Sequence, residues 1–322
     1  MPQLITLFFI LFMLNPVSAQ FTGEVGSIGC EAISKESSGI VAWATKCDVK
    51  RGYLDKSDVK KGFVSQGVDS NAVGVADNKV VSLGDSGVAL LTFDVPIRNN
   101  VGPDFLVFEN GFSANYLELA FVEVSSDGIH FFRFPAVSNR SITKQVGPYD
   151  TFGEVNRLYN FAGKYEVNYG TPFDLEELPE SNLLDKFSIR YVKIIDVVGS
   201  IDPKIGSFDS KGRIINDPYP TDFAAGGFDL DAVAVYDKSK ISLLESEPNK
   251  IPHIFPNPAK KSDILTINSN LDLEITISNL LGKVLYNGRK KHIELETFNP
   301  GTYFVTIDSE SIFSRVKLVI VN

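Results

Sequence analysis

The stretch Gly226-Gly-Phe-Asp-Leu-Asp-Ala-Val233 carries two aspartates at a spacing that has chemical consequences. In a regular strand, side chains two apart share a face. Asp229 and Asp231 are then expected to point one way beside Val233 and Val235, with Phe228, Leu230, Ala232 and Ala234 opposite. Two carboxylates roughly 7 Å apart repel each other and resist leaving water. A hard cation removes both penalties, and calcium takes six to eight oxygen ligands. Oxygen donors are dense in the preceding loop, at Asp202, Asp209, Asn216, Asp217 and Asp222, and Glu109-Asn110 adds more at the end of another run. A calcium site built from Asp229, Asp231, Glu109, Asp209, Asp217 and Asp222 is one expectation. The other is that both aspartates lie on an exposed edge and are solvated. Asp209 to Asp217 lacks the alternation and terminal Glu of an EF-hand loop, so any site is assembled from separate loops.

Residues suited to catalysis are few. The histidines are His130, His253 and His292. A Ser-His-Asp triad could use only His130, which follows a turn and is expected at the surface, and no Gly-x-Ser-x-Gly elbow is present. His-Glu-x-x-His, P-loop and Gly-x-Gly-x-x-Gly motifs are absent. A glycosidase pair needs only two acids about 5 to 9.5 Å apart. Glu109, Glu118, Glu123 and Asp196 qualify by type, though Glu118 and Glu123 are expected on solvated strand faces. Tyr149, Tyr159, Tyr165, Tyr169 and Tyr219 fall in the loop-rich stretches 140–170 and 200–227. They are either ligand contacts or packing under long loops. The leading expectation is a non-catalytic binding module for a surface glycan, a protein or a small nutrient. A secreted hydrolase acting on glycans or esters is an alternative.

These residues must be positioned by strands. Apolar and β-branched runs recur at 88–93, 104–108, 117–124, 130–134, 188–195 and 228–236. Leu117, Leu119, Phe121 and Glu123 share one face of their run, and Glu118, Ala120, Val122 and Val124 the other. Asp127-Gly128 between two runs marks a hairpin. Helical signals are few, the best being Asp174 as a cap for Leu175–Leu178. The fold class is all-β: residues 20–240 form a jelly-roll-like β-sandwich. A linker, 241–254, and a small Ig-like β-sandwich over 255–322 follow.

The chain has 322 residues and a formal net charge of −9, with 43% hydrophobic and 22% charged residues. That composition permits a sizeable core. The acidic balance supplies no cationic surface for phosphate contacts, so a nucleic-acid partner is not expected. Residues 1–19 read as a signal peptide: Leu4–Leu14 is apolar but too short to span a bilayer, and Val17-Ser18-Ala19 gives a small-residue cleavage pattern. No other segment is apolar enough to cross a membrane. The two cysteines, Cys30 and Cys47, are either a disulfide or two unpaired thiols.

After the polar stretch 245–253 comes Phe255-Pro-Asn-Pro258, then short alternating runs punctuated by Gly282, Asn287-Gly288 and Pro300-Gly301. With Asn279-Leu-Leu-Gly-Lys283, Pro300-Gly-Thr-Tyr303 and a final apolar strand, residues 255–322 resemble the type A sorting domain of the Bacteroidetes type IX secretion system. The terminal Val321-Asn322 departs from the basic end often seen in that family. The resemblance implies engagement of the type IX machinery, passage through the outer membrane, removal of the domain, and release or anchoring at the surface. It also brings the alternative of an accessory protein for nutrient capture, of corrinoids for example. Residues 65–238 are similar to bacterial cell-surface proteins carrying phrases like Pro103–Gly111, Glu118–Gly128 and Gly227–Val233, a likeness that implies no activity. Arg190-Tyr-Val-Lys-Ile194 resembles a strand of discoidin-like jelly rolls.

Overall fold

Runs of five to ten residues rich in Val, Ile, Leu and Phe form the long strands of the protein. The structure, a computed structural model, describes residues 21–241 except 28 and 152, and residues 253–321 except 269–272, 281 and 309–312. The signal peptide expected over 1–19 and most of the linker lie outside the described residues. The chain divides into two units, Met1–Ile241 and Ser242–Asn322.

In the first unit the strands are β1 (Ile33–Ser34), β2 (Ile40–Trp43), β3 (Lys46–Lys50), β4 (Val81–Ser82), β5 (Val88–Ile97), β6 (Phe105–Glu109) and β7 (Ala120–Ser125). They continue with β8 (Phe132–Arg133), β9 (Val137–Ser138), β10 (Leu158–Tyr159), β11 (Tyr169–Phe173), β12 (Ile189–Asp196) and β13 (Asp229–Tyr236). One sheet runs β1-β11-β6-β13-β2, with β4 paired to the start of β13. The other runs β3-β5-β12-β7-β8. Read without the edge strands β1 and β3, the orders β2-β13-β6-β11 and β5-β12-β7-β8 are those of a jelly roll.

The core lies between the sheets. Ala89, Leu91 and Phe93 of β5, Ala120, Val122 and Val124 of β7, and Val192 and Ile194 of β12 meet Phe105, Val107, Leu230, Val233 and Val235 of the facing sheet. Phe105 stacks on Phe173 at 5.2 Å, and Phe134 meets both rings edge-on. Burying each such ring contributes roughly 1.5–3 kcal/mol. The first sheet also covers an outer cluster of Leu106, Phe108, Ala232, Ala234 and Tyr236. That explains why every residue of β6 and β13 is buried. The expected helix after Asp174 is a single 3-10 turn, Leu175–Glu177, with Asp174 accepting from the Glu176 amide at 2.9 Å. Among the described residues every helical segment is such a turn.

The second unit is a smaller sandwich. One sheet holds β14 (His253–Phe255), β16 (Ile264–Asn268) and β19 (His292–Glu294). The other holds β15 (Ala259–Lys260), β17 (Glu274–Asn279), β18 (Val284–Gly288), β20 (Gly301–Asp308) and β21 (Phe313–Val321). Leu265, Ile275, Ile277, Val305, Ile307 and Leu318 fill the space between them.

Candidate functional site

Four strand ends of the first unit meet at one end of the jelly roll. Register places Glu109, the last residue of β6, opposite Leu230 near the start of β13. It places Asp196, the last residue of β12, opposite Ala120, the first of β7. Glu109, Asp196 and Asp229 stand at three of these ends, Glu118 lies two residues before the fourth, and the loop that reaches back over them carries Asp217.

The expected alternation of β13 fails at Asp231. Leu230 pairs with Glu109 but Ala232 pairs with Phe108, so β13 holds one extra residue there, a β-bulge. Leu230, Val233 and Val235 face the core, while Ala232 and Ala234 face outward. Phe228, Leu230, Ala232 and Ala234 therefore do not share one face, and the two aspartates do not act as a pair. The Asp229 carboxylate accepts from the Ser82 hydroxyl and bonds the Asn110 side chain. Asp231 Oδ1 accepts from the Asp77 and Asn78 amides at 3.2 and 3.1 Å. Burial first, despite these bonds, pushes each carboxyl up to about 6.

Asp229 has acidic company of another kind. Glu109 is buried, and its Oε2 accepts from the Gly111 amide at 2.8 Å. Glu118 is 7% exposed, and its Oε1 has no hydrogen-bond partner among the described residues. Burial raises both carboxyls well above the usual range, and Asp229 and Asp217 raise them further. Tyr116 lies against the same group: burial, then Glu118 and Asp217, raise its hydroxyl, which donates to the Pro148 carbonyl at 3.0 Å. Asp217 Oδ1 meets the buried Arg140 Nη1 at 2.8 Å, and its Oδ2 accepts from the Leu119 amide at 2.8 Å. Even so, burial pushes Asp217 up to about 7. Glu109, Glu118, Asp217 and Asp229 thus form an acidic end, with Arg140 paired to Asp217 and the Arg51 charge acting on Asp229.

Asp196 closes the neighbouring corner as a structural staple. Its two oxygens accept from the Phe228 amide at 2.8 Å and the Ser86 amide at 3.1 Å. Gly227 is needed beside it: its φ is +69°, and an added Cβ would lie 2.6 Å from Asp196 Oδ1 and 2.9 Å from Gly84 Cα.

The remaining expected ligands lie elsewhere. Asp209 is tied to Arg213 at 2.6 Å and to the Ser138, Lys211 and Arg213 amides. Asp222 is partly exposed and shares Lys61 with Asp55, both at 2.8 Å. The six-residue calcium set is therefore not one site: Glu109, Asp217 and Asp229 lie at the same end of the jelly roll within electrostatic reach of one another, while Asp231, Asp209 and Asp222 have separate partners. Glu118 joins the group although it was expected in solvent. It shares the strand face of Ala120, Val122 and Val124, which face the core, and that parity was the available signal. Glu123, on the opposite face, pairs with Arg133 at 2.8 Å and Lys193 at 3.1 Å. Among the described residues no three His, Cys, Asp or Glu side chains are arranged to hold one metal ion.

The tyrosines also divide. Tyr165 is buried and Tyr169 packs against the same cluster. Tyr219 is buried, its hydroxyl donating to Asp55 Oδ1 at 2.7 Å. Tyr149 is 80% exposed and stacks on Phe223 with centroids 6.0 Å apart. Tyr159 stacks on Phe21 at 5.1 Å and lines a cavity. Cys30 and Cys47 are free thiols, so the disulfide alternative does not hold. Cys47 packs on the core between the sheets, and Cys30 on a separate cluster around Phe161. His130 is paired with Asp127 of its own turn at 2.7 Å.

The first unit is a jelly roll with a buried acidic end. For the second unit, residues 253–322 match the secretion system C-terminal sorting domain family. That segment is a type IX sorting domain, which marks the chain for export to the outer-membrane surface or the medium. No curated protein matches the chain. Among solved structures, a Ruminococcus gnavus beta-glucuronidase is similar at 11% identity and a TM-score of 0.19, over 88% of this chain and 47% of that one. The chain spans about half the length of that enzyme, and a score so low carries no argument. Among the described residues no helix is long and apolar enough to cross a membrane.

Proposed function

We propose that the protein is an exported, non-catalytic binding module, and that the acidic end of its jelly roll takes a calcium ion that stabilises it. One observation carries the cation: Glu109, Glu118, Asp217 and Asp229 are buried at one end of the jelly roll, and Glu118 Oε1 has no hydrogen-bond partner among the described residues. A buried carboxylate without a hydrogen bond costs several kcal/mol unless it binds a proton or a cation. All the donors are oxygens, the chemistry of a hard cation. Since no three of these acids converge, the ion draws on at most two of them. The Asn110 amide, main-chain carbonyls and water complete the six to eight oxygens. Support for a non-catalytic role comes from how the candidate acids are used. Asp196 accepts two main-chain amides, and Glu123 is held by two cations.

Calorimetric titration of the EDTA-stripped chain with calcium chloride tests this reading. One saturable site is expected, weakened about tenfold or more by Asp229→Asn, which removes a charged ligand. Absence of binding at millimolar calcium contradicts the cation. Turnover of polysaccharides or esters by the purified chain contradicts the non-catalytic role.

A further inference from the structure

A cavity of about 340 Å³ opens beside β1 and β11, lined by residues with no part in the acidic end. We infer that this cavity binds one ring of a neutral saccharide. The inference rests on the reading of the first unit as a binding module and names its ligand class.

The walls combine two kinds of surface. Tyr159, Pro103 and Pro172 give flat apolar faces suited to the C–H face of a sugar ring. Glu31, Asp174 and Glu177 give acceptors, and Asn160 gives an amide. The polar side is organised before any ligand arrives. Asn160 Nδ2 donates to Glu177 Oε2, and Glu177 also bonds the Tyr159 hydroxyl. Asn160 sits at φ +52°, in the left-handed region that asparagine enters more readily than other non-glycine residues. The Tyr159 ring is stacked on Phe21, which is not part of the cavity lining, at an interplanar angle of 26°. A rigid platform and a pre-bonded amide–carboxylate pair lose little freedom on binding.

The charges choose among ligands. Three carboxylates against Lys238 as the one cation of the lining exclude an anion such as a uronate or a phosphate. A cationic amine gains little, because Glu31, Glu177 and Lys238 are all exposed and screened. The carboxylates are also partly engaged: Glu31 Oε2 accepts from Thr22 Oγ1 at 3.1 Å, and Asp174 from its capping amide. A carboxylate has about four lone-pair sites, so unused ones remain for hydroxyl donors.

Saturation-transfer NMR on the full chain with neutral methyl glycosides of glucose, galactose, mannose and xylose is the test, with choline and glucuronate alongside. Transfer from at least one neutral glycoside is expected. It should be abolished by Tyr159→Ala and weakened about tenfold by Glu177→Gln. Glu177 is exposed, so Glu177→Gln should melt with the parent and guards against misfolding of the tyrosine variant. Transfer from choline or glucuronate alone, or glycoside transfer that survives both substitutions, would overturn the inference, as would silence from every neutral probe. Methanol released in the same spectra and lost in Tyr159→Ala would support the cavity while contradicting the non-catalytic role. A failed calcium titration with intact glycoside transfer would leave the cavity standing.

Discussion

Glu118 Oε1 is buried with no hydrogen-bond partner among the described residues, and Asp229 and Glu109 add negative charge nearby. In the absence of a cation the ionised form is the costly one. Glu118→Gln removes that charge at equal size and should raise the melting temperature of the EDTA-stripped chain by a few degrees, while calcium then raises it less than in the parent. A drop in both conditions would mean that Glu118 is a structural acceptor. Asp217 is held differently, by Arg140. Removing one partner of a buried ion pair costs about 3–5 kcal/mol, so Arg140→Met should destabilise by that order in urea denaturation at pH 8. With the guanidinium gone Asp217 can take a proton, and the loss should shrink at pH 6. A pH-independent loss would show that Arg140 acts through its packing alone. The bulge at Asp231 could not be read from the sequence, because period-two alternation assumes an unbroken ladder, and the extra residue is visible only as a pairing shift between β13 and β6. The burial of Glu118 was readable from its parity with Ala120, Val122 and Val124 and was missed because a Glu is usually solvated.

At the scale of elements, β6 and β13 are buried on both faces, and the turn entering β13 has almost no freedom. Gly227→Ala meets both a positive φ and the Asp196 carboxylate. It should cost roughly 1–3 kcal/mol, measured as a shift of the urea midpoint; an unchanged midpoint would mean the turn relaxes. On β3, burial pushes the Cys47 thiol up to about 12, with Asp69 and Asp48 adding to it. The thiolate is the reactive species, so iodoacetamide should leave Cys47 unmodified in the native chain and label it after unfolding. Intact mass should be the same with and without reductant; a two-hydrogen difference would mean a Cys30–Cys47 bond. The strands themselves were largely legible, since the apolar and β-branched runs at 88–93, 104–108, 188–195 and 228–236 mark β5, β6, β12 and β13. The expected cap at Asp174 is present but introduces only one turn, because Pro179 follows too soon for a helix to continue. The acidic end was partly legible: Glu109, Asp217 and Asp229 are three of the six acids expected to meet, but which loops converge is a matter of long-range strand order.

For the whole molecule, net charge −9 and a cluster of buried acids set the pH response. Asp229 and Asp231 rise to about 6 and Asp104 and Asp217 to about 7, all chiefly through burial. Between the ordinary carboxylate range and pH 7 the folded chain binds more protons than the unfolded one, so stability falls as pH rises through that window. The EDTA-stripped chain should therefore melt higher at pH 5.5 than at pH 8. Below about pH 4 the order reverses, because Asp55, despite its burial, is held low by Lys61 and Ser57 and loses those bonds once protonated. The C-terminal end of the sequence spoke most plainly about destination, where the family match and the two sheets of the second unit agree. The measurement that bears most directly on the cation-stabilised binding module is scanning calorimetry of the full chain at pH 7.5, with calcium at about a hundredfold its dissociation constant and then with EDTA. Binding at that excess contributes about 2.7 kcal/mol, so the first unit's transition should rise by roughly 5–10 °C with the second unit's unmoved. Superimposable traces with calcium and with EDTA would contradict the account.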